Sequence, residues 1–589
     1  MSVPSRLIGA AQPPPRHASI CEALRRAAEH PSGLTFVDAS ESEETLSWAE
    51  VRSRAQATAG ALRRIGVRPG DRVAIVLPTA PDFMDAFFGT LLAGAVPVPL
   101  YPPVRLGRLE EYHRTTARMV ELSGAVLVLT DALVGRLLGQ AVEASRPRFG
   151  CRRVSTLREA GEAPVEQAVA PDALALVQFS SGSTVDPKPV ALSHANVMAQ
   201  VETIRALMPV REGVRPLGVS WLPLYHDMGL IGCLVNAVAY PAPLVLLRPE
   251  QFLARPALWL RALSRHRGTL SAAPNFAYAL CVRRIRDAEL EGVDLSSWAL
   301  ALNGAESISA EVARRFAERF GPYGFDPRAL VPAYGLAEAS LAVTFAPSRT
   351  SLRTVHVDAH ALASDGEVRP GERALVSVGR PVPGADVEVR DDAGEVVPEG
   401  RVGRIHVRGP SVMVGYLGQP DATRAAIVDG WLDSGDLGFV EDGELVVCGR
   451  AKDVIILRGA NHVPQEFEDA LDGLDGVRPG CAVALGAIPP GAEGEELVLL
   501  VELAPGAPLD LTDRVRTRVL ERTGIRPHRV DLLVPGTLPR TSSGKLRRRE
   551  SLRRWQTGTL TPPRKIRLLG LAGAMVKSAL ALARADGDR

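Results

Sequence analysis

The first half of the chain alternates between helical and extended hydrophobic patterns. Ser47-Trp48-Ala49-Glu50 has capping-box spacing, with Ser at the N-cap and Glu three residues on, and predicts a helix running towards Gly66. An apolar run at 73–77 predicts a buried strand, 82–93 a helix and 96–100 a further strand. The alternation resumes with a strand at 174–179 and a helix after Ser193. Such alternation implies a parallel sheet with helices on its faces. From Ala374 the texture changes to short strands broken by Gly and Pro, ALVSVGRPVPGADVEVRDDAGEVVPEGRVGRIHVRG, the pattern of a small antiparallel barrel or meander. Beyond GRAKD at 449–453 comes a smaller α/β unit with an apolar strand at 497–503 and a basic segment near 540–554. The boundary is placed at about 450–453. The Ala/Leu-rich stretch 563–589 reads as a loosely docked helix with no legible function.

Composition narrows the classes. At 589 residues, 46% hydrophobic and 23% charged, the chain has globular rather than disordered character. A net charge of +2 gives no case for a nucleic-acid partner. The six cysteines stand singly with no CxxC pair, which excludes a zinc ribbon or dense disulfide framework and fits a reducing, cytoplasmic setting. MSVPSRLIGAAQPPPRH lacks a continuous apolar core, so no secretory signal is expected. The most apolar long stretch, 221–247, contains His226, Asp227 and Asn236, which are costly in lipid, so no transmembrane segment is expected. Of 69 basic residues only Lys188, Lys452, Lys545, Lys565 and Lys577 are lysines. The first three lie in Gly-containing loop signatures, where a compact ammonium on a flexible stem has uses that arginine cannot serve.

Four segments carry candidate chemistry. FSSGSTVDPKPVALSH, 179–194, follows a strand and offers hydroxyls, exposed N–H groups and Lys188 to anionic oxygens, though it lacks the GxxxxGK[ST] spacing and reads equally as a solvated turn. NGAES at 303–307 and AYGLAEAS at 333–340 place a Tyr near a Glu; an aromatic platform for a purine and a Mg²⁺ carboxylate compete there with an ordinary strand end. In GWLDSGDLG, Asp436 can accept from a ribose diol, and Arg450 in CGRAKD can reach the same sugar; a turn Asp and a surface Arg are the plain alternatives. LPRTSSGKLRRRE, 538–550, sets one lysine on a Gly hinge and has almost no aromatic interleaving for nucleic acid.

Taken in order, these segments resemble the adenylate-forming superfamily of acyl-CoA ligases, peptide-synthetase adenylation domains and luciferases, over about residues 20–555. WLPLYHDMGLIG, APNFAYALC, NGAE and RGANHVPQEFE are most similar to fatty acyl-AMP ligases, as is the long stretch between Glu338 and Gly379. The resemblance implies an α/β fold: a large N-terminal domain (1–451) of doubly wound α/β subdomains plus a small β-barrel (about 374–447), a smaller mobile C-terminal domain (452–560) and a tail (561–589). It implies ATP-dependent conversion of a medium- or long-chain fatty acid to acyl-AMP, with Mg²⁺, followed by transfer to an acyl carrier protein or synthase loading partner. A long-chain acyl-CoA ligase and a non-catalytic nucleotide- or lipid-binding homologue are the alternatives. Carried over by position, Ser181, Gly182, Ser183, Thr184 and Lys188 would hold the outer phosphates. Asn303, Gly304 and Ala305 would wall the adenine, and Tyr334 would stack on it. Glu338 would serve Mg²⁺, Asp436 the ribose, and Arg450 the ribose or a phosphate. His226 would line the acyl entrance, Lys452 mark the hinge, and Lys545 be the catalytic lysine. The family's phosphate loop has glycine where this chain has Val185 and Pro189, which restricts the backbone and, at 189, removes a donor.

Overall fold

The computed structural model describes residues 3–103, 106–159, 166–180, 187–208, 215–457, 459–488, 494–541, 544–563 and 568–587. Local signals set the helix starts. Ser47 caps Trp48–Ile65 with both arms of its capping box made, and Gly66 ends the helix left-handed at φ 105°. Ser193 and Asn196 do the same at the start of His194–Leu207. The expected strands are Arg72–Val76 and Val96–Leu100, with helix Pro81–Leu92 between them.

Among the described residues the large domain holds two α/β layers. A nine-stranded sheet runs Arg380–Pro381, Ala342–Phe345, Leu330–Gly335, Leu300–Asn303, Leu270–Ala273, Gly218–Ser220, Leu244–Leu247, Gly33–Val37, Glu43–Ser47. From Leu330–Gly335 to Gly33–Val37 its neighbours are parallel, so their carboxyl ends share one edge. The second layer is the parallel sheet Val96–Leu100, Arg72–Val76, Ala125–Thr130, Cys151–Arg153. Leu174–Phe179, Pro189–Ser193 and Gly415–Tyr416 form a three-stranded antiparallel sheet. One core of buried side chains, including Trp48, Phe83, Phe87, Leu192, Leu230 and Leu234, links the elements.

The antiparallel sheet after 374 includes Asp386–Arg390, Gly403–Arg408, Trp431–Glu441, Glu444–Arg450 and the short Ile427–Val428. Its outer strand, Arg6–Ile8, comes from the start of the chain and was not foreseen. The long stretch after Glu338 contains the hairpin Thr354–Val357/Arg373–Val376, with helix Ala359–Ser364 between its strands.

Beyond the turn Ala451–Asp453, a small domain packs Val477–Ala487, Glu496–Leu503 and Arg529–Leu533 against Pro464–Asp469 and Leu511–Thr523, with Phe467, Leu499, Val515 and Val519 buried between them. It rests on the large domain through polar contacts. Arg108 donates to the carbonyls of Thr537 (3.0 Å) and Gly536 (3.2 Å), and Arg554 pairs with Glu111 at 2.5 Å. The tail is helical, Leu568–Gly587, and its docking on Ala132–Ser145 is close rather than loose. The Gly139 N–H donates to Ser578 Oγ at 2.7 Å, and a Cβ at 139 would sit 1.9 Å from the Ser578 carbonyl oxygen. No described helix is long and apolar enough to cross a membrane.

Candidate active site

A cavity of about 2110 Å³ opens between the two domains at the carboxyl ends of the parallel strands, the edge where open α/β sheets bind ligands. Strand Leu300–Asn303 ends beneath its wall with Asn303, buried, its Nδ2 3.4 Å from Asn275 and its Oδ1 lacking a partner among the described residues. Gly304 follows; a Cβ there would meet the Ala333 carbonyl oxygen at 2.9 Å. Ala305 is left-handed, at φ +69°. Non-glycine residues in that region cost about 1–3 kcal/mol and cluster at functional sites. The strained step turns Glu306 inward, where its Oε1 accepts from the Phe276 N–H at 2.6 Å. Burial pushes the Glu306 carboxyl up, partly offset by that bond and by Lys545.

Across the cavity, Tyr334 donates to Asp436 Oδ2 at 2.8 Å, and Arg450 Nε lies 3.1 Å from Asp436 Oδ1. Asp436 and Arg450 are facing residues on paired strands, so the contact is built into the register. Burial raises the Asp436 pKa, with Arg450, Tyr334 and Lys545 pulling the other way. Glu338 accepts from Tyr416 Oη at 3.0 Å, and Lys188 Nζ sits 4.5 Å from the centre of the Tyr416 ring. Burial lowers the Lys188 pKa and raises that of Glu338; each opposes the shift in the other.

His226 opens a helical run, 227–239, whose middle turns, Leu230–Val235, are π-helical. Its Nδ1 lies 2.6 Å from Asp227 Oδ1. Burial alone would raise Asp227; His226 and Lys545 outweigh it and hold the carboxyl below its ordinary value. The small domain contributes Lys545 on a loop braced by Arg540, which donates to the Gly544 carbonyl at 2.7 Å, while the Lys545 N–H donates to Thr541 Oγ1 at 3.0 Å. Burial pulls the Lys545 pKa down; Asp227, Glu306 and Asp436 act to raise it. Lys452 lies exposed at the turn between the domains and also lines the cavity.

A second cavity of about 1110 Å³ adjoins the first, sharing Met208, Gly232, Ala272 and Leu302 with it. A Cβ on Gly232 would come within 2.9 Å of Leu341 Cδ2, so the two residues pack closely where the cavities adjoin.

The AMP-binding enzyme family pattern matches residues 24–417. The chain belongs to that family. This AMP-binding enzyme is 35% identical over 546 residues to the long-chain-fatty-acid–AMP ligase FadD26 of Mycobacterium marinum, covering 87% of this chain and 92% of that one. It is 36% identical over 557 residues to a provisionally named acyl-CoA synthetase of Caulobacter vibrioides, covering 92% and 96%. Among solved structures it superposes, with TM-score 0.86 and 35% identity, on a chain from a study of fatty acyl-adenylate ligases of Escherichia coli and Legionella pneumophila, covering 92% of this chain and 99% of that one.

The residues singled out from the sequence that are described here, Lys188, His226, Asn303, Gly304, Ala305, Tyr334, Glu338, Asp436, Arg450, Lys452 and Lys545, all border the first cavity except Asn303, which lies just beneath its wall. Ser181, Gly182, Ser183, Thr184 and Val185 lie outside the described residues. Pro189 opens strand Pro189–Ser193, and its carbonyl accepts from the Leu417 N–H at 2.8 Å. The donor that proline lacks belongs to that same rung of the sheet. Asp227, Glu306 and Tyr416 were not singled out, although YHDMG and NGAE displayed the first two. Among the described residues no three His, Cys, Asp or Glu side chains cluster as a metal site. A lone Glu338 suits a Mg²⁺ that arrives on a nucleotide, because Mg²⁺ commonly takes one or two carboxylates plus substrate phosphates.

Proposed function

We propose that this AMP-binding enzyme is a fatty acyl-AMP ligase whose acyl group is then taken by the phosphopantetheine thiol of an acyl carrier protein, with AMP leaving, in the cytoplasm. The observation that carries the reading is the junction at Gly232. A cavity ringed by Lys545, His226–Asp227, Asp436–Arg450 and Lys188 adjoins there a second one, walled on one side by Leu244, Leu270, Leu300 and Leu302 and bordered at the surface by Arg26, Glu29 and Arg215. A carboxylate with a long hydrocarbon tail fits that pair of spaces.

In the reaction, a carboxylate oxygen bonds to the α-phosphorus of ATP. The bond from that phosphorus to the bridging oxygen breaks, and pyrophosphate leaves with the electron pair. Two anions must meet, so positioning and positive charge are the main catalytic needs. Lys545 lies between the carboxyl end and the α-phosphate and stabilises charge as it moves between them. Asp436 accepts from the ribose hydroxyls, with Arg450 and Tyr334 fixing its orientation. Asn303, Gly304 and Ala305 border the adenine, Tyr334 stacks on it, and Lys188 meets the outer phosphates beside Ser181, Gly182, Ser183 and Thr184. Mg²⁺ when bound neutralises phosphate charge, and Glu338 would hold it. His226, oriented by Asp227, borders the entrance to the acyl space. The docked small domain keeps water from the mixed anhydride.

The deciding experiment incubates the protein with ATP, Mg²⁺ and a fatty acid, with and without coenzyme A, and follows products by mass spectrometry. Accumulating acyl-AMP supports the proposal. Rapid acyl-CoA release would place the chain with acyl-CoA synthetases, as the name of the Caulobacter relative has it. No fatty-acid-dependent pyrophosphate exchange would leave a nucleotide- or lipid-binding protein.

A further inference from the structure

The tail helix, Leu568–Gly587, is apolar on two sides, and the protein covers only one of them. Ser578 and Ala581 are buried, and Met575 and Leu582 pack against the core beneath Ala132–Ser145. At about 3.6 residues per turn, Ala572, Val576, Leu580 and Ala583 fall on the opposite side, and all four are exposed. Val576 is 60% and Leu580 53% exposed, one helical turn apart. Lys577 and Arg584 run along one edge of this outward stripe; both are exposed, and Arg584 lies 3.2 Å from Glu143. The charge of the surrounding sequence is one-sided. The chain holds 67 acidic residues, about one in nine, yet none from 555 to 585, where five Lys or Arg stand. Three of the five, Arg564, Lys565 and Arg567, lie outside the described residues and count only as charge.

We propose that this face seats the enzyme on an anionic membrane surface, with the helix lying in the headgroup plane. An apolar stripe edged by basic side chains is the anatomy of an interfacial helix. Its hydrocarbon side chains enter the acyl boundary, and the long cationic stems reach past them to lipid phosphates. The acid-free basic run supplies the complementary charge, because anionic lipid attracts Lys and Arg held near its surface. A second copy of the chain is a poorer match. Twofold pairing sets the same patch against itself, and Lys577 and Arg584 would find no acid on the facing stripe. Long-chain acids partition into bilayers, so the seat brings the active site to its substrate reservoir. That consequence, unlike the seat itself, rests on the acyl-AMP ligase reading.

The test sediments the full-length protein with vesicles of phosphatidylcholine alone, or of equal parts phosphatidylcholine and phosphatidylglycerol. Wild type should bind the anionic vesicles about tenfold more tightly or better, and lose most of that advantage in molar salt, where the screening length falls to about 3 Å. The double change Val576→Glu with Leu580→Glu should weaken anionic-vesicle binding by about tenfold or more, because it removes apolar burial and adds repelled charge. Lys577→Glu should weaken binding at low salt and not at high salt. Both variants should form acyl-AMP from a soluble medium-chain acid at the wild-type rate, since neither borders the active-site cavity. Wild type that ignores anionic vesicles overturns the proposal, and this arm decides even if the double variant does not fold. Binding that the double change leaves intact overturns it too. So does a concentration-dependent dimer, lost in the double variant, in a protein that ignores vesicles; the face would then belong to a second copy. Should no acid be adenylated, the ligase reading falls while the vesicle arms still judge the seat.

Discussion

Lys545 is held where its charge is disfavoured. Burial lowers its pKa despite three nearby carboxylates, so the folded state binds its proton less firmly than the unfolded chain does. The resulting penalty on stability is fully present below the folded pKa, shrinks as pH rises, and vanishes above the unfolded value. Lys545→Met should therefore melt above wild type at neutral pH, by a margin that narrows towards alkaline pH in thermal denaturation. The same change should cost adenylation about 10²–10³-fold in kcat, as for other lost charge-stabilising donors. Lys545→Arg should fail as well, because a planar fork does not replace a point charge in a tight site. Near-normal acyl-AMP formation by either variant would remove Lys545 from the chemistry. Asp436→Ala should raise the KM for ATP far more than that for the fatty acid, since the proposed partners of the carboxylate are ribose hydroxyls; equal effects in steady-state kinetics would make Asp436 a structural residue. Much of the site was legible at this scale because lysine is so scarce that each survivor drew notice. Glu306 was not, nor was the left-handed backbone of Ala305, a residue the sequence named only as an adenine wall, since a backbone angle and a distant N–H at Phe276 are encoded by no spacing.

Elements whose signals are local were legible, and those made by distant pairing were not. The capping residues Ser47 and Ser193 announced their helices because the bonds that satisfy the first turn lie within three residues. Strand Arg6–Ile8 gave no such notice: it is three residues long, and its partner is Asp386–Arg390. The π-helical turns at Leu230–Val235 are equally silent in the sequence, yet they carry Gly232, which borders both cavities. Gly232 on those turns gives a direct handle. Gly232→Val should push Leu341 into the space where the cavities adjoin and raise the KM for long-chain acids more than for short ones, as a chain-length series would show. The sequence also made Pro189 look like a defect of the phosphate loop. Its place in a sheet rung beside Leu417 removes that argument, and Pro189→Gly should leave the KM for ATP unchanged.

At the scale of the whole molecule, the site is complete only while the small domain rests on the large one. The contact is mostly polar: Arg108 on two backbone carbonyls, and a Glu111–Arg554 pair that is itself braced by Glu550. Arg554 and Glu550 are largely buried and Glu111 is half-buried, so this seat is held more firmly than an exposed ion pair would hold it. Glu111→Arg should set guanidinium against guanidinium and lower kcat for acyl-AMP formation several-fold with little change in the KM for ATP. A proportionate rise in that KM would mean that the contact shapes the nucleotide site rather than the docking. The contacts across the two domains were not legible, because each joins residues more than four hundred positions apart whose types are common on any surface.

The tail helix changes the mechanics of that docking. A body hung from one pivot can turn about any axis through it. Fixed at two points, it can turn only about the line between them unless one attachment lets go. The small domain is joined to the large one by the turn at Ala451–Asp453 and again, through the chain that follows it, by the seat of Ser578 on Gly139. The first is covalent and permanent; the second is a clasp made possible by a missing side chain. Gly139→Leu is therefore an unusual lever. Within its own helix the change is favourable by about 1 kcal/mol, yet it fills the seat and should spring the tail, seen as faster proteolytic removal of the last residues from a large domain of undiminished stability.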